Sequence, residues 1–342
     1  MTTRLQDALE LDLEAKAAEL SHGLREAVLQ RLRRRGLVVA VSGGVDSACV
    51  AALGVRARGP ERVFALLLPE RDSSPQSLAY GKALCEKLRI GYEVKDVAPI
   101  LDAAGCYQAR NEAVREVVPE FRPEMPWKIV LASDPLSSEA LHFVKLVVRI
   151  GNGDERQYRL PPRAYLQIVA ATNFKQRTRK MLEYYYADRL NYAVAGTPNR
   201  LEYDQGFFVK LGDGAADVKP VAGLYKTQIF ALARRLGVIE EILRREPTTD
   251  TYSLEQSQED FYYSLHYSKL DLVLWAKNHG VSAESVAAEL GYTPEQVRRV
   301  YDDNDEKRRA TGYLHAAPIL LEPVDEVAGQ APLATQIFPT SA

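Results

Sequence analysis

Short unbroken apolar runs alternate along this chain with longer stretches of helical period. Leu37 to Val41 is a continuous apolar run of the kind a strand buried on both faces shows, and from Ala48 onward the residues favour helix. RVFALLLP, Arg62 to Pro69, repeats the buried-strand pattern, and GYEVKDV, from Gly91, gives a third strand. Between them, SSPQSLAYGKALCEKLRI predicts a helix capped by Ser74 with Pro75 in its first position. Strand, helix, strand, helix, strand is the signature of a parallel sheet with helices on both faces. Upstream, residues 5–35 are rich in Leu, Ala, Glu and Arg with helical period, and RLRRRG closes them in cations and a Gly stop. Residues 1–36 are therefore expected to form a helical segment that covers the sheet or makes a dimer face.

The middle of the chain is less regular. VPEFRPEMPW is too rich in proline for helix, and LHFVKLVVRIGNGDERQYRLPP reads as a hairpin turning at Gly151-Asn152-Gly153. Residues from about 107 to 163 are thus expected to be a β-rich insertion. Helical period returns from Tyr165 to Tyr186, and NYAVAGTPN predicts another strand feeding a functional loop. Between Trp275 and Asp303, two short helices flank Gly291-Tyr292-Thr293 with the spacing of a helix-turn-helix, where Arg298 and Arg299 would meet phosphate. The flanking DDNDE would repel a nucleic-acid backbone, which favours a helical pair packed on the main domain. The end, 322–342, lacks a clear period and is expected to be a flexible tail. The expected architecture is a doubly wound, mostly parallel α/β fold of Rossmann-like type over 37–321, with the inserted segment and a helical C-terminal region.

Composition narrows the partners. A formal net charge of -2 over 342 residues supplies no basic field for nucleic acid. No apolar run approaches the roughly 20 residues that span a bilayer, and the first residues lack the basic start and apolar core of a signal peptide. A cytoplasmic location without membrane attachment is the expectation. Cys49, Cys85 and Cys106 form no CxxC pair and no Cys/His cluster at zinc spacing. Cys49 falls in the first turns of the helix after the glycines, where a small core residue is favoured over a reactive thiol.

Candidate chemistry concentrates in Ser42-Gly43-Gly44-Val45-Asp46-Ser47, the turn between the first strand and its helix. The first amides of a helix lack internal partners and carry the positive end of its dipole, so they attract an anion. Gly43 and Gly44 allow close approach, Ser42 and Ser47 add hydroxyls, and Asp46 adds a carboxylate that needs a cation beside any phosphate. This reads as a cradle for a metal-bound polyphosphate. It is not a Walker A loop, since no Gly-Lys-Ser/Thr follows the glycines. Taken alone, the six residues also fit a structural Gly-Gly turn with an Asp/Ser cap.

The loop resembles the pyrophosphatase-type ATP loop of the adenine nucleotide alpha hydrolase superfamily. Together with NFKQRTRKM, AGTPNRLEYDQGFFVKLGDGAADVKPVAGLYKTQ, EPTTD and DEKRRA, in that order, the chain resembles the NAD synthetase family through most of residues 37–310. The resemblance implies a two-step amidation. The nicotinate carboxylate of deamido-NAD attacks the α-phosphate of ATP, and ammonia then displaces AMP to give NAD. It also implies a magnesium cofactor and a homodimer. Carried over position by position, Ala40, Val41, Ser42, Gly43, Gly44, Val45, Asp46 and Ser47 would hold ATP together with Thr197, Lys226 and Thr248. Asp46 and Glu202 would hold the metal, and Asp46, Lys226 and Thr248 would act in catalysis. Arg177, Lys210, Asp217 and Lys307 would contact the dinucleotide. Singly, each of these charged residues also fits a solvated surface; it is their order as a set that carries the resemblance.

Two departures stand out. Ammonia-dependent members of the family usually have Thr-Asp-His where this chain has Thr197-Pro198-Asn199, and His-Lys where it has Glu306-Lys307. Glu306 places negative charge near the expected dinucleotide. The glutamine-dependent branch carries a long N-terminal glutaminase domain, whereas some 36 residues precede the first strand here. Ammonia is therefore expected from solution or from a separate glutaminase. The same adenylation on another carboxylate is the alternative left open; neither an RNA-binding extension nor a sulfur-handling Cys pair speaks for a tRNA substrate.

Overall fold

The computed structural model describes residues 5–131, 144–151, 153–247, 252–254, 262–263 and 265–322. After a 3-10 turn at Leu5–Leu9, the first half runs α1 Leu13–Glu26, β1 Leu37–Ala40, α2 Val45–Arg58, β2 Val63–Leu67, α3 Pro75–Leu88, β3 Gly91–Val94, α4 Ala98–Ala103 and α5 Cys106–Arg115. Then come β4 Trp127–Leu131, β5 Val144–Ile150, β6 Asp154–Arg159, α6 Pro162–Leu190 and β7 Ala193–Ala195. The rest is helical: α7 Arg200–Gln205, α8 Lys226–Arg235, α9 Glu240–Leu243, α10 Tyr267–Asn278, α11 Ala283–Leu290 and α12 Pro294–His315.

The main sheet is wholly parallel in the order β3-β2-β1-β7. β1, β2 and β7 are short and apolar because both faces are covered, while β3, at the edge, is partly exposed. On one face α1, α2, α8 and α9 pack a core that includes Leu24, Leu37, Leu53, Ile229 and Ile242. On the other, α4, α5 and α6 meet the sheet through Leu101, Tyr107, Ala171 and Tyr186 around Val38 and Leu66. This is the doubly wound arrangement, and β1 lies at its centre. The C-terminal end of β1, where α2 begins, is the position at which such sheets hold ligands.

Ser74 caps α3 by accepting from the Gln76 amide, with Pro75 in the first turn as expected. The hairpin read around Gly151 forms β5 and β6, while Asn152 itself lies outside the described residues. A third strand, β4, pairs antiparallel with β5 although its approach is proline-rich. The prolines stop just short of it: Pro126 precedes the strand, and its carbonyl accepts from the Arg149 amide.

The helical pair near the C-terminus is α11 and α12, joined by Gly291 in the left-handed region and Thr293 as cap. Val286, Val297 and Val300 pack it into a separate core with Leu270 and Leu274 of α10. Arg298 is engaged by Glu284 and Glu295, so one of the two arginines that a helix-turn-helix would turn to phosphate is paired with carboxylates. Residues 323–342 of the expected tail lie outside the described residues. No helix among the described residues is long and apolar enough to cross a membrane.

Candidate active site

The turn after β1 is shaped for close approach. Gly43 has φ +80°, and a Cβ there would collide with the Ser77 carbonyl of α3. Both conditions demand glycine. Ser47 points back into the loop, accepting from the Ser42 amide at 3.2 Å and donating to the Gly44 carbonyl at 3.0 Å. Its hydroxyl therefore braces the turn. Gly44 is the N-cap of α2 and brings no side chain to it, so Gly44, Val45, Asp46 and Ser47 line the cavity with the positive end of a 14-residue helix. Cys49, one turn on, is fully buried, and burial pushes its thiol up, which makes it a core residue.

Asp46 is the hub of the polar end. Its Oδ1 accepts from Asn199 Nδ2 at 3.0 Å, and its Oδ2 is paired with Lys226 Nζ. Asn199 caps α7: its side chain accepts from the Glu202 amide, and Glu202 reaches back to the Asn199 amide at 3.0 Å. This capping box aims Glu202 into the same cavity as Asp46. Burial, with the nearby Asp46 charge, pushes the Glu202 carboxyl up to about 8, against the pull of Lys226. Lys226 is 2 % exposed. Burial opposes its charge, but Asp46 and Glu202 more than offset this and hold its ammonium above the usual range.

A lysine opening a helix faces the wrong end of the dipole. Asp271 of α10 compensates, accepting from the Lys226 amide at 3.2 Å and from the Thr227 amide and hydroxyl at 2.7 and 2.8 Å. It caps α8 from another helix and so fixes where Lys226 stands. Burial raises its carboxyl to about 6 despite these donors.

These groups open on a cavity of about 650 Å³. Lys307 of α12, also in the lining, donates to the Tyr262 carbonyl at 2.8 Å and pairs with Asp303, also at 2.8 Å. Burial lowers the Lys307 ammonium, with Asp303 opposing. Lys180 and Glu183 of α6, one turn apart, pair at 2.6 Å within the wall. Asp213, which accepts from the Val209 amide at 2.8 Å, lines the cavity too. Burial raises both the Glu183 and the Asp213 carboxyls.

The cavity thus joins an anion cradle to a carboxylate pair of hard oxygen donors. Among the described residues no group of three or more His, Cys, Asp or Glu gathers elsewhere or here. The pair fits a small divalent cation only if phosphate oxygens and waters complete its shell, as magnesium prefers.

The sequence model of the NAD synthase family matches residues 17–122 and 153–310. The chain belongs to this family. It is 54% identical over 323 residues to the NH(3)-dependent NAD(+) synthetase of Rhizobium meliloti, spanning 94% of this chain and 96% of that one. Identity to the enzyme of the same name from Mesorhizobium japonicum is 52% over 319 residues, or 93% of this chain and 99% of that one. Among solved structures, an NMN synthetase from Francisella tularensis superposes with a TM-score of 0.61 at 22% identity, covering 92% of this chain and 99% of that one. That likeness shows the shared fold.

Of the positions that resemblance to the NAD synthase family singles out, Ala40, Val41, Ser42, Gly44, Val45, Asp46, Ser47, Thr197, Glu202, Lys226 and Lys307 line one cavity. Gly43 stands behind the loop against α3. Arg177, Lys210 and Asp217 are placed otherwise. Arg177 Nε donates to the Lys210 carbonyl at 3.1 Å. Lys210 Nζ donates to the carbonyls of Tyr313 and Ala316 at 2.7 and 2.9 Å, closing the end of α12. Asp217 accepts from the Val194 amide at 2.8 Å and from the Tyr184 hydroxyl at 3.3 Å, tying its loop to β7. Thr248 lies outside the described residues. The sequence reading passed over Lys180, Glu183, Asp213 and Asp271. The i, i+3 spacing of Lys180 and Glu183 beside the quoted arginine motif was a usable signal, and Asp213 stood in GDGAAD masked by its look as a turn. Asn199, at a departure from the family pattern, holds both Asp46 and α7.

Proposed function

We propose that this chain is an ammonia-dependent NAD synthetase that converts deamido-NAD, ATP and ammonia into NAD, AMP and pyrophosphate. The observation that carries the reading is the convergence of the glycine cradle, Asp46, Glu202 and Lys226 on one cavity in a chain of this family. A free carboxylate resists ammonia; an acyl adenylate offers AMP as leaving group. Ammonia attacks the carbonyl, the carbon–oxygen bond to AMP breaks, and the amine sheds its proton.

The first amides of α2 bind the polyphosphate, and the Gly43 turn lets it approach the backbone. Lys226 supplies positive charge where negative charge builds as pyrophosphate separates. Asp271 keeps that ammonium in place through the cap on α8. Asp46 and Glu202 would hold Mg2+, which would supply charge to neutralise triphosphate oxygens. Thr248 is proposed as a further phosphate contact from the family motif. Lys307 lines the cavity beside Glu306 and is proposed as an acceptor-side contact from the family motif. Arg177, Lys210 and Asp217 remain proposed dinucleotide contacts on the strength of the family motif alone. The domain reading of 1–36, 37–321 with an insertion at about 107–163, and the tail stands as proposed, as do the homodimer and a cytoplasmic location.

Ammonia as donor is tested by supplying 15N-ammonium or amide-labelled glutamine to the purified chain with ATP, magnesium and deamido-NAD. Label entering NAD from ammonium alone fits the reading. Label from glutamine without any added protein would overturn it.

A further inference from the structure

Residues 123–152 fall outside the family match, yet part of this segment walls the cavity. Ile129 and Val130 of β4 and Val144 of β5 line one end, beside Tyr165 and Val169 of α6 and Tyr252. The register sets Ile129 opposite Leu146 and Leu131 opposite Val144, so Ile129 and Val144 rise from the same face of the small sheet. That face is apolar, continuing through Trp127 and Val148 into a core with Ala164 and Ile168. The end of the cavity it forms is therefore built of hydrocarbon and ring.

Distance separates this wall from the phosphate end. Arg179 Nε donates to the Leu68 carbonyl at 3.0 Å, fixing that point of α6 at the C-terminal edge of the main sheet. Val169 lies ten residues earlier on the same helix, which is about 15 Å. A nucleotide with phosphates on the cradle is long enough to carry its ring toward the wall.

The small sheet is also wired to the loop after β2. The Arg110 guanidinium lies 5.4 Å from the Trp127 ring and 5.1 Å from the Tyr107 ring, and it pairs with Asp72. Lys175 bridges Asp72 at 2.6 Å and Glu70 at 2.9 Å. Ser73 and Ser74 of that loop line the cavity. The inserted sheet and the loop are thus held as one unit.

We infer that the inserted sheet is a specificity element of the reactant site, its Ile129–Val144 face seating the flat heterocyclic base of a nucleotide reactant. The inference rests on the cavity being the reactant site. The base belongs either to ATP or to the dinucleotide, and the same experiment separates them.

Calorimetry gives Kd for ATP and for deamido-NAD separately, in wild type, Val144→Asn, Ile129→Ala and Val144→Ile, with thermal midpoints and turnover measured alongside. Val144→Asn and Ile129→Ala are expected to weaken one nucleotide roughly tenfold with the other within about twofold, while Val144→Ile binds like wild type. The nucleotide affected names the source of the base. Unchanged affinity for both overturns the inference, and so does equal weakening of both with a lowered midpoint in all three variants, since that marks a scaffold. Wild type that binds both nucleotides without forming NAD would sink the proposed reaction and leave the binding result readable.

Discussion

At the residue scale the site turns on one buried lysine between two carboxylates. Lys226 is the cation paired with Asp46 and lowering the Glu202 carboxyl, so removing it leaves the Asp46 carboxylate without its buried partner. Lys226→Met is expected to lower kcat by about two to three orders of magnitude. It should also cost about 3 kcal/mol of stability, read by denaturant unfolding. Full activity in Lys226→Met would remove the lysine from the chemistry. Asp271 gives a pH signature. Its folded value, about 6, lies above the ordinary 3.8, so the folded state holds a proton that the unfolded chain releases. Its contribution to stability is then lost as pH rises from about 4 to about 6. The stability deficit of Asp271→Asn relative to wild type is expected to shrink across that window; a deficit constant with pH would contradict it. Asp46, Glu202 and Lys226 were legible because each sits in a local motif. Asp271 was not, since it acts on a helix 45 residues earlier in the chain and only folding brings it there.

At the element scale, helix ends do the positioning. α2 offers its bare N-terminus, α7 aims Glu202 through its capping box, and α8 is capped from α10. The strand–helix alternation made the main sheet readable, because strands buried on both faces are unbroken apolar runs. β4 was hidden by prolines that end just before its first residue, and its pairing with β5 is a tertiary fact. The same limit explains Lys210. The family motif makes it a proposed dinucleotide contact, and what the motif does not show is that its ammonium also meets the carbonyls at the C-terminus of α12, the negative end of the dipole. Lys210→Met is expected to cost about 0.3–1 kcal/mol of stability with the KM for ATP unchanged, measured by thermal unfolding and initial rates. Unchanged stability would contradict the helix-end role, and a raised KM for deamido-NAD would support the dinucleotide contact.

At the scale of the whole molecule, a parallel sheet covered on both faces delivers three loops to one edge. These are the glycine turn after β1, the serine loop after β2 and the Thr197–Glu202 segment after β7, and α12 and the inserted sheet close the cavity around them. That edge is where the account expects an acyl adenylate to form. Isotope transfer tests it most directly. Deamido-NAD labelled with 18O in its nicotinate carboxylate is turned over with ATP, magnesium and ammonium, and the phosphorus products are weighed by mass spectrometry. The account predicts one 18O in AMP and none in pyrophosphate. Label in inorganic phosphate with ADP as the nucleotide product, or in pyrophosphate with unlabelled AMP, would place the attack on another phosphorus and contradict it.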